Sequence, residues 1–137
     1  MAKPEPEKGL YKILAIEDDM VMRKLLHKTM TSEGFECSLA ATAAAGISAC
    51  AQEKPDLVLL DVHLPDDNGI EVCRKLKADE QLRHIPVLIL TGEAFTVENR
   101  IEGLEAGADD YILKPFSPKE LISRIRGILK ASTKPSI

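Results

Sequence analysis

The sequence predicts a three-layer α/β sandwich, in which a parallel sheet of five strands lies between two layers of helices. Short apolar segments of four to six residues alternate with longer segments of helical periodicity five times along the chain. The third and fourth short segments are apolar throughout, which is typical of parallel strands that are buried on both faces. Because parallel strands are joined by right-handed crossovers, this alternation places helices on both sides of the sheet.

Five strands are predicted, at 11–16, 35–40, 57–60, 86–90 and 110–113. The second segment alternates apolar and polar residues, so we expect it near an edge of the sheet. The third is a continuous apolar run that stops at Asp61. For the strand order 2-1-3-4-5, the order reverses between the first and third strands, and ligands bind outside the carboxyl ends of the strands at such a point.

Five helices are predicted, at 20–33, 43–52, 70–77 and 97–105, with a last helix that begins at Pro118. Asp18 or Asp19 can cap the first helix, and Ser117 with Glu120 forms a capping box before the last. Apolar residues at helical spacing mark the faces that we expect to pack on the sheet. In the first helix these are Val21, Met22, Leu25, Leu26 and Met30, in the fourth Val97, Ile101 and Leu104, and in the last Leu121, Ile122, Ile125, Ile128 and Leu129.

Length and composition indicate one domain. A chain of 137 residues with 45% hydrophobic residues can bury a single core. We expect this domain at 10–131, preceded by a mobile, Pro- and charge-rich extension at 1–9 and followed by a tail or the start of a linker at 132–137.

Charge and cysteine content narrow the class of protein further. The net charge is −4 and the basic residues are scattered, which argues against direct contact with nucleic acid. Cys37, Cys50 and Cys73 lack metal-binding spacing and cannot all pair, so we expect reduced thiols in a cytoplasmic protein. No segment approaches the roughly 18 apolar residues of a membrane span, and the N-terminus has no apolar signal-peptide centre, so we expect no membrane partner.

The loop after the third strand displays a carboxylate. Asp61 ends the strand, and the polar segment that follows contains Pro65, which cannot extend a sheet, and Asn68-Gly69, which suits a positive φ. A lone aspartate at this position could merely cap a loop. Held at the end of a rigid strand and facing an open loop, however, it is a candidate nucleophile or metal ligand.

Polar side chains also follow the other strands of the central sheet. If the strands are parallel, Glu17, Asp18, Asp61, Thr91 and Lys114 all arrive at one edge of the sheet. Three carboxylates placed so close repel one another unless a cation lies among them. Mg²⁺ suits such oxygen ligands, and we expect Asp18, Asp61 and the backbone carbonyl of His63 to bind it.

A carboxylate beside Mg²⁺ can attack a phosphoryl group and form an aspartyl phosphate. Lys114 offers a positive charge to one phosphoryl oxygen, and the Thr91 hydroxyl can donate a hydrogen bond to another. The alternatives are that Glu17 and Asp18 only cap the first helix, and that Lys114 and Thr91 are ordinary loop and strand-end residues.

These motifs together resemble the receiver domain of two-component response regulators, over about residues 11–130. They are the acidic pair after strand one, the pattern D-x-x-x-P-x-x-x-G from Asp61 to Gly69, Thr91 after strand four, and Lys114-Pro115 after strand five. The resemblance, which is to chemotaxis-regulator-like domains, implies a flavodoxin-like doubly wound fold. It also implies that Asp61 is the phospho-acceptor, with Glu17 and Asp18 as the acidic pair.

The resemblance implies roles for further residues. Thr91 is the expected switch hydroxyl, and Tyr111 lies where such domains often place an aromatic ring that turns inward on activation. A cis bond is expected before Pro115. Glu17 stands where aspartate is commoner, so it is expected to reach the metal through water. His63 and Glu93 occupy positions that influence the lifetime of the phosphoryl group in similar domains.

The function implied is a phosphorylation-activated signalling switch, which catalyses only its own phosphoryl transfer and dephosphorylation. Its partners are a sensor histidine kinase or phosphotransfer protein and a downstream effector, which is expected to bind helix four, strand five and helix five, at 97–130. A homodimer formed on phosphorylation is a further partner that the sequence leaves open. The cognate kinase, the output and the length of the whole protein are not fixed by these residues.

Three alternatives use the same features differently. A phosphatase of the haloacid dehalogenase kind also forms an aspartyl phosphate, but it usually has a second acid at the position of His63 and its nucleophile on the first strand. A flavodoxin-like FMN carrier would need hydroxyls and glycine after the first strand, where Glu17, Asp18 and Asp19 would repel a phosphate. A receiver-like adaptor that signals by binding alone is harder to exclude.

Overall fold

The computed structural model describes residues 10–92 and 96–132. The predicted extension at 1–9 and residues 133–137 lie outside this part of the chain. Strands and helices alternate in the order β1 (Lys12–Ile16), α1 (Met20–Ser32), β2 (Glu36–Ala40), α2 (Ala43–Glu53), β3 (Leu57–Asp61), α3 (Gly69–Ala78), β4 (Val87–Thr91), α4 (Val97–Glu105), β5 (Asp110–Leu113) and α5 (Pro118–Ser132). All ten predicted elements are present, and the predicted ends differ from these by at most one residue.

The strands form one parallel sheet in the order β2-β1-β3-β4-β5. This confirms the predicted topology, with β2 and β5 at the edges and the order reversing between β1 and β3. Asp61, the last residue of β3, pairs with Leu90 of β4. The carboxyl ends of β1 and β3 therefore lie side by side at one edge of the sheet.

The core lies on both faces of the sheet. Along β3, Leu57 and Leu59 point to one face and pack with α1 and α5, whereas Val58 and Leu60 point to the other and pack with α2 and α3. All five residues of β3 are buried, as expected of a central strand covered on both sides. Since burying a leucine side chain contributes about 2 kcal/mol, β3 is a rigid support for the residue at its end.

The helix starts use short polar side chains. Asp19 is the N-cap of α1, where its carboxylate accepts a hydrogen bond from the Met22 N–H at 3.0 Å. At α5, the Ser117 hydroxyl accepts from the Glu120 N–H at 3.0 Å, which is one half of the predicted capping box. These caps satisfy N–H groups that have no partner within the helix.

Two helices bury less of their apolar surface than the sequence pattern predicts. In α1, Leu26 and Met30 are buried, but Val21 is 72% exposed and Leu25 is 42% exposed. The apolar arc of α1 is wider than its contact with the sheet, so Leu26 and Met30 are buried, Met22 packs at the edge of the core and Val21 and Leu25 stay outside it. The expected face of α4 is wrong, because Val97, Ile101 and Leu104 are exposed and the helix packs through Gly103.

The three cysteines are free thiols, as the sequence predicts. Cys37, Cys50 and Cys73 are all free thiols, and burial raises the pKa of each to about 11. At that pKa the thiols are protonated at neutral pH. Within 10–92 and 96–132, no helix combines the length and the apolar character that crossing a bilayer requires.

Gly46 of α2 is predicted to be essential for the close approach of α2 to β1. A Cβ at Gly46 would lie 2.7 Å from Cγ1 and 2.9 Å from Cγ2 of Ile16, which is fully buried. Gly46→Ala should therefore lower the free energy of unfolding by about 1–3 kcal/mol, although alanine is the better helix former. The measurement is urea unfolding at neutral pH.

Gly127→Ala in α5 is the matched control, because nothing lies within 4 Å of a Cβ at Gly127. This variant should keep or raise the stability by up to about 1 kcal/mol. Equal stability changes in the two variants would contradict the close packing of α2 on β1.

Candidate functional site

Four strands deliver polar side chains to one edge of the sheet. Glu17 follows β1, Asp61 ends β3, Thr91 ends β4 and Lys114 follows β5. β1, β3 and β4 have long buried runs that end where the sequence turns polar, so Glu17, Asp61 and Thr91 are fixed by the strands before them. Lys114 follows the less buried edge strand β5. The predicted convergence of the acids and the lysine on this edge is confirmed by the contacts below.

Three carboxylates form a cluster at this edge. One oxygen from each of Glu17, Asp18 and Asp61 lies within 4.8 Å of the others. Glu17 and Asp61 are buried, at 1% and 4% exposed, whereas Asp18 faces solvent. Hard oxygen donors at this spacing, open on one side, fit a divalent cation such as Mg²⁺ that keeps several of its waters.

Lys114 bridges two of the acids. Its ammonium Nζ donates hydrogen bonds to Glu17 Oε1 at 2.7 Å and to Asp61 Oδ1 at 3.1 Å. The peptide bond between Lys114 and Pro115 is cis, as the resemblance implies. The main chain also fixes Lys114, because its N–H donates to the Thr91 carbonyl at 2.6 Å.

Burial and charge set the protonation of this group. Burial raises the pKa of Glu17 from its ordinary value of 4.5 to about 7; the hydrogen bond from Lys114 opposes this rise and the neighbouring Asp61 adds to it. For Lys114, burial acts to lower the pKa, but the hydrogen bond to Glu17 and the charge of Asp61 prevail and hold the pKa above its usual range. Lys114 is therefore a cation throughout the physiological range.

The loop between β1 and α1 is held by side chains on both sides. Asp19, which the sequence left as one of two possible caps, is the N-cap of α1, and this frees Asp18 for the cluster. Arg23 of α1 donates from one guanidinium nitrogen to the Glu17 carbonyl at 3.0 Å and to the Asp18 carbonyl at 2.6 Å. The sequence analysis missed Arg23, although its position one turn after the acids was an available signal.

The loop between β3 and α3 departs from one expectation. Neither Asn68 nor Gly69 has a positive φ: Asn68 is extended and caps α3 by accepting from the Ile70 N–H at 2.7 Å. Gly69 is instead required for space, because a Cβ there would meet the Asp61 carbonyl oxygen and would lie 2.8 Å from the Val62 Cα. The glycine lets the start of α3 approach the backbone of Asp61.

A cleft of about 430 Å³ lies beside the acid cluster. It is lined by Asp18 and by the β3–α3 loop from Val62 to Asn68. His63, whose carbonyl is the expected third metal ligand, lies in this loop and forms an isolated antiparallel bridge with Asn68. The cleft leaves room for a ligand next to the cluster, and the role of the His63 carbonyl stays a prediction.

Asp66 is a second residue that the sequence analysis missed. Its carboxylate accepts from the N–H groups of Ala43 and Ala44 at 2.8 and 3.0 Å, so that it joins Thr42 in capping α2 from another loop. These backbone hydrogen bonds lower the pKa of Asp66 below its ordinary value of 3.8. The contact fixes the β3–α3 loop to α2, and no local sequence pattern could have predicted it.

Two of the three remaining predicted residues, Thr91 and Tyr111, lie in the described part of the chain. Thr91 is buried, at 1% exposed, one residue beyond the partner of Asp61. Tyr111 is half-buried on the edge strand β5, and the guanidinium carbon of Arg100 lies 5.1 Å from its ring centroid. Glu93 lies outside the described residues.

The sheet topology of this chain is also found in known proteins. A parallel sheet in the order 2-1-3-4-5 flanked by five helices defines the CheY-like, flavodoxin-like α/β domains. A CheY-like response regulator receiver domain from Methanospirillum hungatei superposes with a TM-score of 0.85 at 33% identity, over 90% of this chain and 96% of that one.

Sequence relatives point the same way. The chain is 42% identical over 118 residues to the phosphate regulon transcriptional regulatory protein PhoB of Pseudomonas aeruginosa, covering 86% of this chain and 51% of PhoB. It is 43% identical over 119 residues to the DNA-binding response regulator MtrA of Mycobacterium tuberculosis, covering 87% of this chain and 50% of MtrA. The chain thus spans about half the length of these relatives.

The family profile described as response regulator receiver domain matches residues 13–126. The chain belongs to the family of response regulator receiver domains. Membership of this family argues against the other two families considered for the chain, the haloacid dehalogenase-like phosphatases and the flavodoxin-like FMN carriers.

Asp66 should make stability depend on pH in the acid range. Because its folded pKa lies below 3.8, the contact stabilises the fold above that pH and is lost as the pH falls through the folded pKa. Asp66→Asn should therefore unfold at a lower urea concentration than the wild type at neutral pH, and the gap should narrow below about pH 4.

Glu80→Gln is the control, since it removes an exposed carboxylate from the α3–β4 connection. It should leave the urea midpoint almost unchanged at both pH values. A gap between wild type and Asp66→Asn that stayed constant with pH would show that the carboxylate charge of Asp66 does not support α2.

Proposed function

We propose that this chain is a phosphorylation-controlled signalling switch that accepts a phosphoryl group on Asp61 in the presence of Mg²⁺. The observation that supports this most is the position of Asp61. It ends the buried strand β3, shares the cluster with Glu17 and Asp18, and lies 3.1 Å from the Lys114 ammonium. A carboxylate held between a cation site and an ammonium group can be phosphorylated because both charges offset those of the incoming phosphoryl group.

In the proposed transfer, a carboxylate oxygen of Asp61 attacks the phosphorus of a phosphohistidine on a sensor histidine kinase or phosphotransfer protein. The P–N bond breaks, the imidazole leaves and takes a proton from solvent, and an acyl phosphate forms on Asp61. Attack of water on phosphorus later breaks the new P–O bond, releases inorganic phosphate and restores the carboxylate. In this proposal the chain catalyses only its own phosphoryl transfer and dephosphorylation.

The other residues of the edge have separate tasks in this proposal. Asp18, Asp61 and the His63 carbonyl would hold Mg²⁺, with Glu17 acting through water, and the ion would neutralise charge on the phosphoryl oxygens. Lys114 would turn from the acids to a phosphoryl oxygen, and the Thr91 hydroxyl would donate to another. His63 and Glu93 would set how long the phosphoryl group lasts.

The output is proposed to pass through α4, β5 and α5. Thr91 on β4 and Tyr111 on the neighbouring β5 would change position together on phosphorylation and alter the surface that an effector protein or domain, or a second copy of the chain, binds. Residues 10–131 are assigned to the receiver unit, in agreement with the family match over 13–126. The net charge of −4 supports the proposal that this unit makes no nucleic-acid contact of its own. The proposed exchange takes place in the cytoplasm, because the kinase that supplies the phosphoryl group uses the ATP found there.

Asp61→Asn should abolish phosphorylation. With acetyl phosphate and Mg²⁺, the wild type should acquire a hydroxylamine-sensitive label, seen by intact-protein mass spectrometry, and Asp61→Asn should acquire none. Glu80→Gln, which changes an exposed acid in the α3–β4 connection, outside this loop, is the control and should label like the wild type. Labelling of Asp61→Asn at the wild-type rate would refute the assignment, and no label on the wild type would favour an adaptor that signals by binding alone.

Lys114→Met should separate the two effects of the ammonium group. Loss of a cation that stabilises the phosphoryl oxygens should slow labelling by acetyl phosphate on the order of 100-fold. In the resting state the same ammonium competes for Glu17 and Asp61, so the variant should bind Mg²⁺ more tightly than the wild type. Both quantities can be measured, by mass spectrometry and by titration calorimetry, and weaker Mg²⁺ binding would contradict this role.

A further inference from the structure

Arg23 lies on α1 behind the acidic pair, in a position that its own helix does not favour. It is the fourth residue of α1, close to the N-terminal end, where the helix dipole is positive and cations are disfavoured. Apart from the N-cap Asp19, α1 has no acidic residue in its first turn that would offset this. The interaction that holds the guanidinium there must come from outside the helix.

That interaction is with the main chain that carries the acids. One guanidinium nitrogen donates to the carbonyl of Glu17 at 3.0 Å and to the carbonyl of Asp18 at 2.6 Å. Both are charge-assisted hydrogen bonds, which are stronger than those between neutral groups. Two successive peptide groups are thereby fixed by a single side chain.

The rest of the β1–α1 loop is anchored on either side of Asp18. The Glu17 N–H donates to the Ala40 carbonyl of β2 at 2.9 Å, and the Asp19 carboxylate caps α1. Asp18 lies between these two anchors with its side chain exposed. The peptide group between Asp18 and Asp19 has two contacts, a 3.3 Å bond from the Asp19 N–H to Glu17 Oε2 and the 2.6 Å bond from Arg23 to the Asp18 carbonyl. The bond from Arg23 is the shorter of the two and the one that ties this peptide group to α1.

We propose that Arg23 is a positioning residue for the cation site, which it serves by holding the main chain of Glu17 and Asp18 so that both carboxylates converge with Asp61. The inference rests on the proposed Mg²⁺ site and adds to it a residue that does not contact the cation itself. Groups that orient metal ligands typically change metal affinity by 10-fold or more when they are removed.

Charge and position make opposite predictions for this residue. If Arg23 acts only through its positive charge, removing it should tighten Mg²⁺ binding, because one repelling cation is gone. If Arg23 positions the ligands, removing it should weaken Mg²⁺ binding. The sign of the change in affinity therefore separates the two effects.

The experiment compares Arg23→Gln with Lys24→Gln by isothermal titration of the unphosphorylated chain with Mg²⁺. Both variants remove one positive charge from adjacent positions of α1, but Lys24 is exposed and lies about 100° around the helix from Arg23, which makes the loop contacts. Arg23→Gln should weaken Mg²⁺ binding on the order of tenfold, whereas Lys24→Gln should leave it equal or slightly tighter. Unchanged or tighter binding by Arg23→Gln overturns the inference.

Labelling by acetyl phosphate gives a second measurement. For Arg23→Gln, the Mg²⁺ concentration that half-saturates the labelling rate should rise on the order of tenfold, and the rate at saturating Mg²⁺ should approach that of the wild type. A rate that stays low at saturating Mg²⁺, with unchanged affinity, would show a general structural role and overturn the inference. Urea unfolding of each variant checks that the variant is folded under the conditions of the Mg²⁺ titration and the labelling.

Arg23→Lys covers the case in which the glutamine variant does not fold. Its shorter side chain keeps the charge and reaches the carbonyls less well, so Mg²⁺ affinity should fall, though less than in Arg23→Gln; an affinity equal to that of the wild type overturns the inference. The proposed function is tested separately, because a wild-type chain that binds Mg²⁺ and is labelled on Asp61 leaves that function standing even if Arg23 proves irrelevant.

Discussion

The structure depends on the contact of one ammonium group with two buried carboxylates. Lys114 reaches Glu17, which is 97 positions away in sequence, and Asp61, which is 53 positions away. Buried carboxylates are tolerated only with a partner of opposite charge or a bound cation. The contact therefore joins the ends of β1, β3 and β5 and also offsets part of the negative charge of the site in the resting chain.

The loops that carry the site are fixed from neighbouring elements. The β1–α1 loop is held by Arg23 on α1, and the β3–α3 loop is held by the bond of Asp66 to the start of α2. Gly69 removes the side chain that would keep α3 away from Asp61. Each loop of the candidate site thus has an anchor outside itself, which can make a site on loops as precise as one on strands.

The strands, the helices and the sheet edge at which the acids meet follow from the sequence, because buried strands such as β3 have an unbroken apolar pattern that ends at a polar residue. The contacts of Arg23 and Asp66 do not follow from it, since they join segments whose adjacency exists only in the folded chain. The sequence correctly marks Gly69 as important but predicts the wrong reason. The glycine is required because α3 closely approaches the backbone of Asp61 and Val62, and its φ is not positive. The sequence predicts more buried apolar surface on α1 and α4 than the structure has, because hydrophobic spacing does not determine how wide the contact between a helix and the sheet is. The chemical roles of the site residues stay predictions until they are measured.

The shallow packing of α4 has an energetic consequence. A helix that exposes Val97, Ile101 and Leu104 and meets the sheet through Gly103 forfeits little buried surface when it shifts. Its local opening free energy should consequently be among the smallest in the fold, and its amide protons should exchange with deuterium faster than those of α3 or α5. A segment held so loosely can be displaced by the modest energy of one covalent modification while the remaining four helices keep their places.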